Sequence, residues 1–252
     1  MIIFRRNGLR VAESTHETAP VGRIPADIHR VTTAILPDDP RIRVRRSDTL
    51  LIDLRQDEEA LFTGMNETNR QTARKGPEDG LLCTCDMDCA PAVIDAFCTY
   101  YDAFAKARDL HPVFRRRLEL LAAQHRLALT HVAFADGTAL AWHAYHCAPE
   151  RVVLLYSASH FRQMKENPRS KAIMRANRVL HWNDLLAFRR LGIPLYDWGG
   201  LDTTAKSEQT TKIAGFKTGF GGAVAPVYAY TVPLSLTGKI ACAVLAKMGA
   251  NY

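Results

Sequence analysis

Residues 127–159 read LALTHVAFADGTALAWHAYHCAPERVVLLYSAS, three apolar runs of strand length separated by two turns. Asp136-Gly137 separates the first two runs, and this dipeptide is a strong signal for a tight hairpin. Pro149-Glu150 separates the second run from the third. Apolar runs joined by short turns predict antiparallel strands that follow one another in the chain. The predicted strands are Leu127 to Ala135, Leu140 to Cys147 and Val152 to Ser159.

Helices are predicted on both sides of these strands. Pro112 to Arg126 is predicted as one helix, and Ser170 to Leu191 as a longer helix that ends before a glycine and a proline. A short strand from Pro194 to Trp198 and a final strand from Val224 to Val232 follow. This order of elements predicts an α+β fold with a mixed sheet flanked by helices.

The chain before residue 111 and the segments near the C-terminus add further elements. Residues 1–47 contain four prolines and predict short strands and loops. Polar residues dominate Thr203 to Lys212, which is predicted to be mobile. The other predicted elements are a strand from Thr49 to Leu54, helices from Gln56 to Lys75 and from Pro91 to Asp109, and a C-terminal helix from Ser235 to Met248.

Three short strings lie at the ends of these elements. They are TLLIDL (49–54) before a helix ending in NRQTARK (69–75), LHW (180–182) before YDWGG (196–200), and FKTGFGG (216–222) before VYAY (227–230). The order of helices and strands is similar to that of GNAT acyltransferases, and the three strings resemble those of the FemABX-type (Fem-like) aminoacyl transferases. The resemblance implies an abbreviated N-terminal GNAT-like half at residues 1–110, completed by the strand and helix of 224–252, and a GNAT-like acyltransferase domain at 111–223.

The resemblance implies an enzyme that forms an amide bond. It would move an amino acid, carried by aminoacyl-tRNA as co-substrate, to an amine of a sugar, a peptide or a small metabolite. An N-acyltransferase that uses an acyl-CoA thioester or an acyl carrier protein is the alternative within the same fold. A GNAT-like module without activity, which binds RNA or a partner protein, is the alternative from another class.

Three residues are candidates for catalysis. Acyl transfer needs a group that stabilises the oxyanion formed at the carbonyl. The lysine of the F-K string is implicated in catalysis in the family, so the resemblance assigns this role to Lys217, beside Phe216. Asp197 ends a strand just before two glycines, where its carboxylate can orient the acceptor amine or cap the turn.

Candidate substrate-binding residues are mostly basic. The segment from His160 to Leu191 has no glycine, so the backbone loop that holds a pyrophosphate in CoA-dependent GNAT enzymes is not expected here. Side chains that can bind phosphate, or that simply form a solvated basic face, are Arg162, Lys165 and Arg169. Arg70 and Arg74 share a helix face and either point to the acceptor cleft or complement the helix dipole. Tyr101 and Tyr156 either line a pocket or pack in the core.

The net charge and the composition favour certain classes of binding partner. The formal net charge of +7 and the isoelectric point near 9.2 favour polyanions such as nucleic acid or an anionic membrane surface, although they also serve solubility. The apolar segment from Ile240 to Ala246 either packs on the first half or touches a membrane. The apolar residues Met1 to Phe4 are followed directly by Arg5 and Arg6, so the run is too short for the apolar region of a signal peptide. A cytoplasmic location is therefore expected. No metal is expected, because the cysteine cluster at 83–89 has no second pair. No cofactor is expected either, since aminoacyl-tRNA, or a CoA thioester as the alternative, would serve as a co-substrate.

Overall fold

The computed structural model describes residues 1–17, 23–39, 42–161, 167–204 and 207–247. Within these ranges the chain forms ten strands and seven helices. The strands are β1 (Ile2–Arg6), β2 (Leu9–Thr15), β3 (Ile28–Thr33), β4 (Val44–Asp53), β5 (Leu82–Asp86), β6 (Leu127–Ala133), β7 (Ala139–Ala148), β8 (Arg151–Ser159), β9 (Leu195–Asp197) and β10 (Ala223–Pro233). The helices are α1 (Glu58–Gly64), α2 (Glu67–Glu78), α3 (Pro91–Lys106), α4 (Arg115–Ala122), α5 (Ser170–Arg190), α6 (Glu208–Thr218) and α7 (Leu236–Lys247).

All ten strands belong to one mixed sheet. Their order is β1-β2-β3-β10-β4-β9-β8-β7-β6-β5. The pairs β2–β3 and β8–β9 are parallel, and the other pairs are antiparallel. The predicted α+β fold with a mixed sheet and flanking helices is therefore confirmed, as is the antiparallel run of β6, β7 and β8.

Helices cover both faces of the sheet. On one face α3 and α4 pack on the central strands and on the first strands of the chain, with Phe97, Leu118 and Trp142 in a shared core. On the other face α5 packs on the same strands, and Tyr145 and Phe188 are fully buried there. The central strands are therefore buried on both faces and mostly apolar, which explains why β6, β7 and β8 stand out so clearly in the sequence.

The predicted helix from Gln56 to Lys75 is two helices in the structure. Asn66 is extended, and its side chain accepts a hydrogen bond from the backbone N–H of Asn69, which starts α2. Asp57 starts α1 in the same way. The prediction of a single helix was wrong because Asn66 acts as an N-cap in the middle of the segment.

Two further elements differ from the prediction. Strand β5, which contains Cys83 and Cys85, was not predicted, and it pairs with β6 at the edge of the sheet. Helix α6 begins at Glu208, inside the segment predicted to be mobile. Ser207 and Thr210 form reciprocal hydrogen bonds that cap its first turn, which stabilises a helix none of whose side chains is fully buried.

Strand β10 lies between β3 and β4, far from its neighbours in the chain. The edge strand β5 and helix α3 precede residue 111, and they pair and pack with strands that follow it. The division at residues 110/111 remains a prediction. None of the helices in the described ranges is both long enough and apolar enough to span a bilayer.

Candidate functional site

Strands β8 and β9 separate after a short paired stretch. Only Val152 with Tyr196 and Val153 with Asp197 are paired across them, whereas β8 continues to Ser159. The register of β7 and β8 shifts at this point, so that Leu155 has no opposite residue on β7. The side chains of residues 154–157 are partly exposed although β8 lies inside the sheet. The described part of the sheet therefore opens between β8 and β9.

Gly199 borders this opening on the side of β9. Its φ is +69°, and a Cβ atom added to it would lie 2.1 Å from the carbonyl oxygen of Leu154. Only glycine allows both the left-handed backbone and this close approach. Gly199, the first glycine of the YDWGG string, thus places the backbone after β9 against β8 at the start of the opening.

Lys217 lies on the last turn of α6 and bonds to both sides of Gly199. Its ammonium donates to the carbonyl oxygen of Trp198 at 3.1 Å and to that of Gly200 at 2.5 Å. Burial lowers the pKa of Lys217 from its usual 10.5, and Asp197 opposes this shift. The predicted catalytic lysine is therefore a largely buried cation held beside the opening.

Phe216 packs in an aromatic cluster next to Lys217. Its ring contacts His181, Trp198 and Phe220 at centroid distances of 5.6, 6.0 and 5.6 Å. Burial lowers the pKa of His181 well below 6.5, and the cations of Lys217 and Arg178 add to this effect. His181 is therefore neutral at physiological pH, and the cluster forms an apolar wall behind the lysine.

Asp197 is buried and its carboxylate is already hydrogen-bonded. One oxygen accepts from the Thr49 hydroxyl at 2.5 Å and from the Gly199 N–H at 2.9 Å, and the other accepts from Arg151 at 3.2 Å. These contacts match the turn-capping role that the sequence also allowed. The role in orienting an acceptor amine remains a prediction.

Two buried histidines lie on the same face as the Asp197 carboxylate. His16 is 3.6 Å from this carboxylate, but burial and Arg151 lower the pKa of His16 to about 4. Burial and the cations of Arg126 and Arg117 lower the pKa of His146 to about 3. Both imidazoles are therefore neutral at pH 7.

The folded protein is expected to lose stability as the pH falls from 6.5 towards 3. In that range the unfolded chain binds protons at His146 and the folded chain does not, so this one site contributes up to about 1.4 kcal/mol per pH unit. We expect His146→Phe to reduce the slope of unfolding free energy against pH, measured by urea denaturation at pH 7, 6, 5 and 4. His111→Phe, at an exposed position, is the control, and equal slopes in wild type and His146→Phe would contradict the prediction.

A buried polar network behind the opening was not predicted from the sequence. Asp184 accepts from the Tyr145 hydroxyl at 2.6 Å and bonds to His143 Nδ1 at 2.7 Å. The Tyr196 hydroxyl bonds to that of Tyr145 at 2.9 Å and to His181 Nδ1 at 3.0 Å. Its signals in the sequence are an alternating His-x-Tyr on β7 and a His three residues before an Asp on α5. The network fixes α5 against β7 and β9.

Three members of this network, His143, His181 and Asp184, have metal-ligand atoms within 4.8 Å of one another. The two imidazole rings are stacked at 4.0 Å, however, and His143 Nε2 bonds to Asn177 at 3.0 Å while its Nδ1 bonds to Asp184. Stacked rings do not direct their lone pairs at one point, so hydrogen bonding accounts for this cluster. The expectation of no metal remains a prediction.

The arginines predicted on the first half have structural partners. Arg70 donates to the carbonyl oxygens of Thr63 and Met65 and pairs with Glu67, so it supports the connection between α1 and α2. The guanidinium of Arg74 lies 4.9 Å from the centre of the Phe62 ring. A role of Arg70 or Arg74 in substrate binding remains a prediction.

The remaining predicted residues lie elsewhere. Tyr101 packs against Tyr156 at 4.8 Å on the α3 face, and the Tyr156 hydroxyl accepts from the Phe114 N–H at 3.3 Å. Arg169 pairs with Asp136 at 2.9 Å, at the hairpin between β6 and β7. The structure does not bring these residues together with Lys217. Arg162 and Lys165 lie outside the described residues.

Arg178 lies beside the candidate site, and it did not stand out in the sequence. It lies on α5 one turn before His181, donates to Asn69 at 3.1 Å, and its guanidinium is 5.1 Å from the centre of the Phe216 ring. Burial lowers the pKa of Arg178. A second partly buried cation thus flanks Phe216, on the side of α2.

Known structures share this arrangement of elements. FemX matches 77% of this chain with a TM-score of 0.59 and 13% identity, and the chain covers 63% of FemX, less than two thirds of its length. The C-terminal domain of a putative lysylphosphatidylglycerol synthetase from Agrobacterium fabrum matches 86% of this chain, which covers 72% of that domain, with a TM-score of 0.54 and 14% identity. L-PGS from Bacillus licheniformis matches 86% of this chain, which covers 71% of L-PGS, with a TM-score of 0.51 and 10% identity.

These likenesses define the class of fold. The chain has the GNAT fold, and the resemblance to Fem-like proteins that the three strings indicated is confirmed at the level of structure. No family model matches the sequence, and no curated protein matches it.

Proposed function

We propose that this protein is an acyltransferase that forms an amide bond, with aminoacyl-tRNA as the donor and an amine of a sugar, a peptide or a small metabolite as the acceptor. The observation that carries the proposal is the position of Lys217, a largely buried cation held by two backbone carbonyl oxygens where β8 and β9 separate. The likeness to FemX supports the same class of reaction.

The chemistry of Lys217 follows from its hydrogen bonds. An ammonium group has three protons, and Lys217 uses two of them on Trp198 and Gly200. The third is available for the oxygen of a reacting carbonyl. A cation in a largely buried position stabilises an oxyanion more strongly than it would in water, which is the transition-state interaction that acyl transfer needs.

The opening in the sheet is proposed to hold the acyl group. Beyond Val153 the described residues give the edge of β8 no paired strand on the side of β9, so its backbone groups can bond to a substrate in an extended conformation. The acceptor nitrogen then attacks the ester carbonyl, the bond to the ribose oxygen breaks, and a proton from the amine ends on that oxygen. Holding both reactants in one orientation contributes much of the rate.

Neither Asp197 nor Arg178 is proposed to touch the reacting carbonyl. Asp197 holds the turn that presents the Trp198 and Gly200 carbonyl oxygens to Lys217, so it is a positioning residue. Arg178 is proposed to contact the donor beside Phe216. The net charge of +7 suits a nucleic-acid donor, and a tRNA donor implies action in the cytoplasm.

The proposal is tested by transfer of radiolabelled amino acids from a charged total tRNA pool to a small-molecule extract. We expect label in an acceptor fraction with the wild-type protein and little with Lys217→Met. Thermal stabilisation by CoA or acyl-CoA, without transfer from tRNA to any fraction, would replace the donor by a thioester. Absence of transfer from either donor would leave a binding module and contradict the proposal.

A further inference from the structure

Strand β1 is an open edge of the sheet. It stands first in the strand order and is paired with β2. The two-residue turn at 7–8 has positive φ at both positions, so Arg6 and Leu9 are the hydrogen-bonded pair beside the turn. Because this pattern alternates along an antiparallel pair, the N–H and C=O groups of Ile3 and Arg5 point away from β2. Within the described residues these groups have no hydrogen-bond partner.

Helix α4 runs along this edge. Phe114 at its start packs against Phe4 with ring centroids 5.0 Å apart, and Gln124 after its end donates to the carbonyl oxygen of Met1 at 3.1 Å. Where the strand and the helix meet there is a groove of about 380 Å³, which is in the size range of ligand sites. The groove is lined by Ile3, Phe4, Arg5, Arg10 and Arg116.

Arginines give this groove a positive charge. Arg5 and Arg10 are directly opposite each other on β1 and β2, an arrangement of like charges that destabilises a strand pair. Neither guanidinium forms an ion pair with a described residue, and Asp27 accepts from the backbone N–H of Arg10 rather than from its side chain. Arg116 pairs with Glu119 at 3.3 Å, and that carboxylate is shared with a second arginine. The described part of the protein therefore leaves most of this charge without a counterion.

We propose that the groove binds an extended acidic segment of a partner protein, which adds to the sheet as a strand beside β1. The backbone of the segment pairs with the outward N–H and C=O groups of Ile3 and Arg5, as in other cases of strand addition. Its carboxylates pair with Arg5 and Arg10 on one face of the sheet and with Arg116 on α4. The open edge thus selects an extended chain, and the arginines select its charge.

Two other occupants fit the groove less well. A second copy of this chain would pair β1 with β1 and bring the same arginines side by side, which like charges disfavour. The phosphates of an RNA accept hydrogen bonds but do not donate them, so they would leave the outward C=O groups of Ile3 and Arg5 without a partner. The proposal concerns a surface apart from Lys217 and does not depend on the proposed reaction.

The test is fluorescence anisotropy with a labelled octapeptide that has four glutamates between threonines. We expect this peptide to bind the wild-type protein, and we expect the same peptide with glutamines to bind on the order of tenfold more weakly. Arg5→Gln with Arg10→Gln should weaken binding by up to about fivefold per arginine. Arg43→Gln with Arg45→Gln removes the same charge from two exposed positions at the start of β4 and should have little effect.

Ile3→Pro tests the strand addition itself. Proline removes the outward N–H of this residue but no hydrogen bond between β1 and β2 and no charge, so peptide binding should weaken on the order of fivefold. Urea unfolding checks that the variant is folded. Amide hydrogen exchange of the wild-type protein gives a readout without a substitution. With peptide bound, the N–H groups of Ile3 and Arg5 should exchange more slowly, whereas that of Phe4, which faces β2, should not change.

The possible results separate the occupants. Absence of binding by the glutamate peptide would overturn the proposal, as would equal losses in the two arginine pairs. Unchanged exchange at Ile3 and Arg5 with the peptide bound would also overturn it, because charge alone would then hold the peptide. A short RNA that binds more tightly than the peptide, and whose binding depends on Arg5 and Arg10, would assign the groove to nucleic acid instead.

Discussion

Lys217→Met is expected to lower the turnover rate of acyl transfer on the order of 10²–10³-fold, as removal of one oxyanion-stabilising donor does in other acyl-transfer enzymes. Methionine keeps the unbranched chain of lysine as far as Cε but has no ammonium to donate to the carbonyl oxygens of Trp198 and Gly200 or to the reacting carbonyl. The measurement is steady-state transfer from the donor that the tRNA assay identifies, with kcat and KM separated. We expect the loss in kcat, since the interaction forms mainly in the transition state.

The control for this experiment lies on the same helix. Lys212 is exposed and pairs with Glu208, so Lys212→Met changes the same residue type without touching the opening and should keep the wild-type rate. The pH profile adds a second readout. Since burial lowers the pKa of Lys217, the rate should fall on the alkaline side at a pH below 10.5, and Lys217→Arg should move this fall to higher pH because arginine stays charged. A folded Lys217→Met protein with unchanged kcat would remove Lys217 from the mechanism.

Gly199→Ala is expected to destabilise the fold by about 4 kcal/mol or more, which is exceptional for a single substitution. The new Cβ would lie 2.1 Å from the carbonyl oxygen of Leu154, which is backbone and cannot rotate away. Relief requires β8 or the turn after β9 to move, so transfer activity should be lost in whatever fraction still folds. The measurement is the free energy of unfolding in urea together with the transfer rate.

Gly192→Ala separates the clash from the backbone conformation. Gly192 has a φ of +74°, close to that of Gly199, but nothing lies within 4 Å of an added Cβ. We expect it to cost only the left-handed backbone penalty, about 1–2 kcal/mol. Similar losses for the two variants would contradict the prediction, because they would show that the approach of Gly199 to β8 is not tight in solution.

Much of the architecture is readable from local patterns. Strands β6, β7 and β8 are apolar on both faces and separated by recognisable turns, and α5 is long with clear ends. The predictions were wrong where a single capping side chain started a helix that the pattern of apolar residues did not reveal. Asn66 divides one predicted helix into two by capping α2, and Ser207 starts α6 in a polar segment that has no apolar face to reveal it.

The site was only partly predictable. Lys217, Phe216 and the glycines at 199 and 200 stand out through their strings, and the structure brings them together. Arg178 and the network of Tyr145, Asp184 and Tyr196 did not stand out, because their partners are distant in the chain and hydrogen bonds between distant residues leave no periodic signal. Tyr101 and Tyr156 were grouped with the site by residue type, and Arg169 because it lies in the basic segment before α5; the structure packs the two tyrosines on the α3 face and pairs Arg169 with Asp136.

The sequence by itself determined the α+β class and the antiparallel centre of the sheet, whereas the candidate lysine followed from the resemblance of the FKTGFGG string to Fem-like transferases. Periodicity and turn chemistry act over a few residues, so they are fully present in the chain before it folds. Tertiary structure alone decided that β10 inserts between β3 and β4, that β9 leaves β8 after two residue pairs, and that the Lys217 ammonium lies on the carbonyl oxygens of Trp198 and Gly200. These features depend on which distant surfaces bury each other at the lowest free energy, and that balance exists only in the folded molecule.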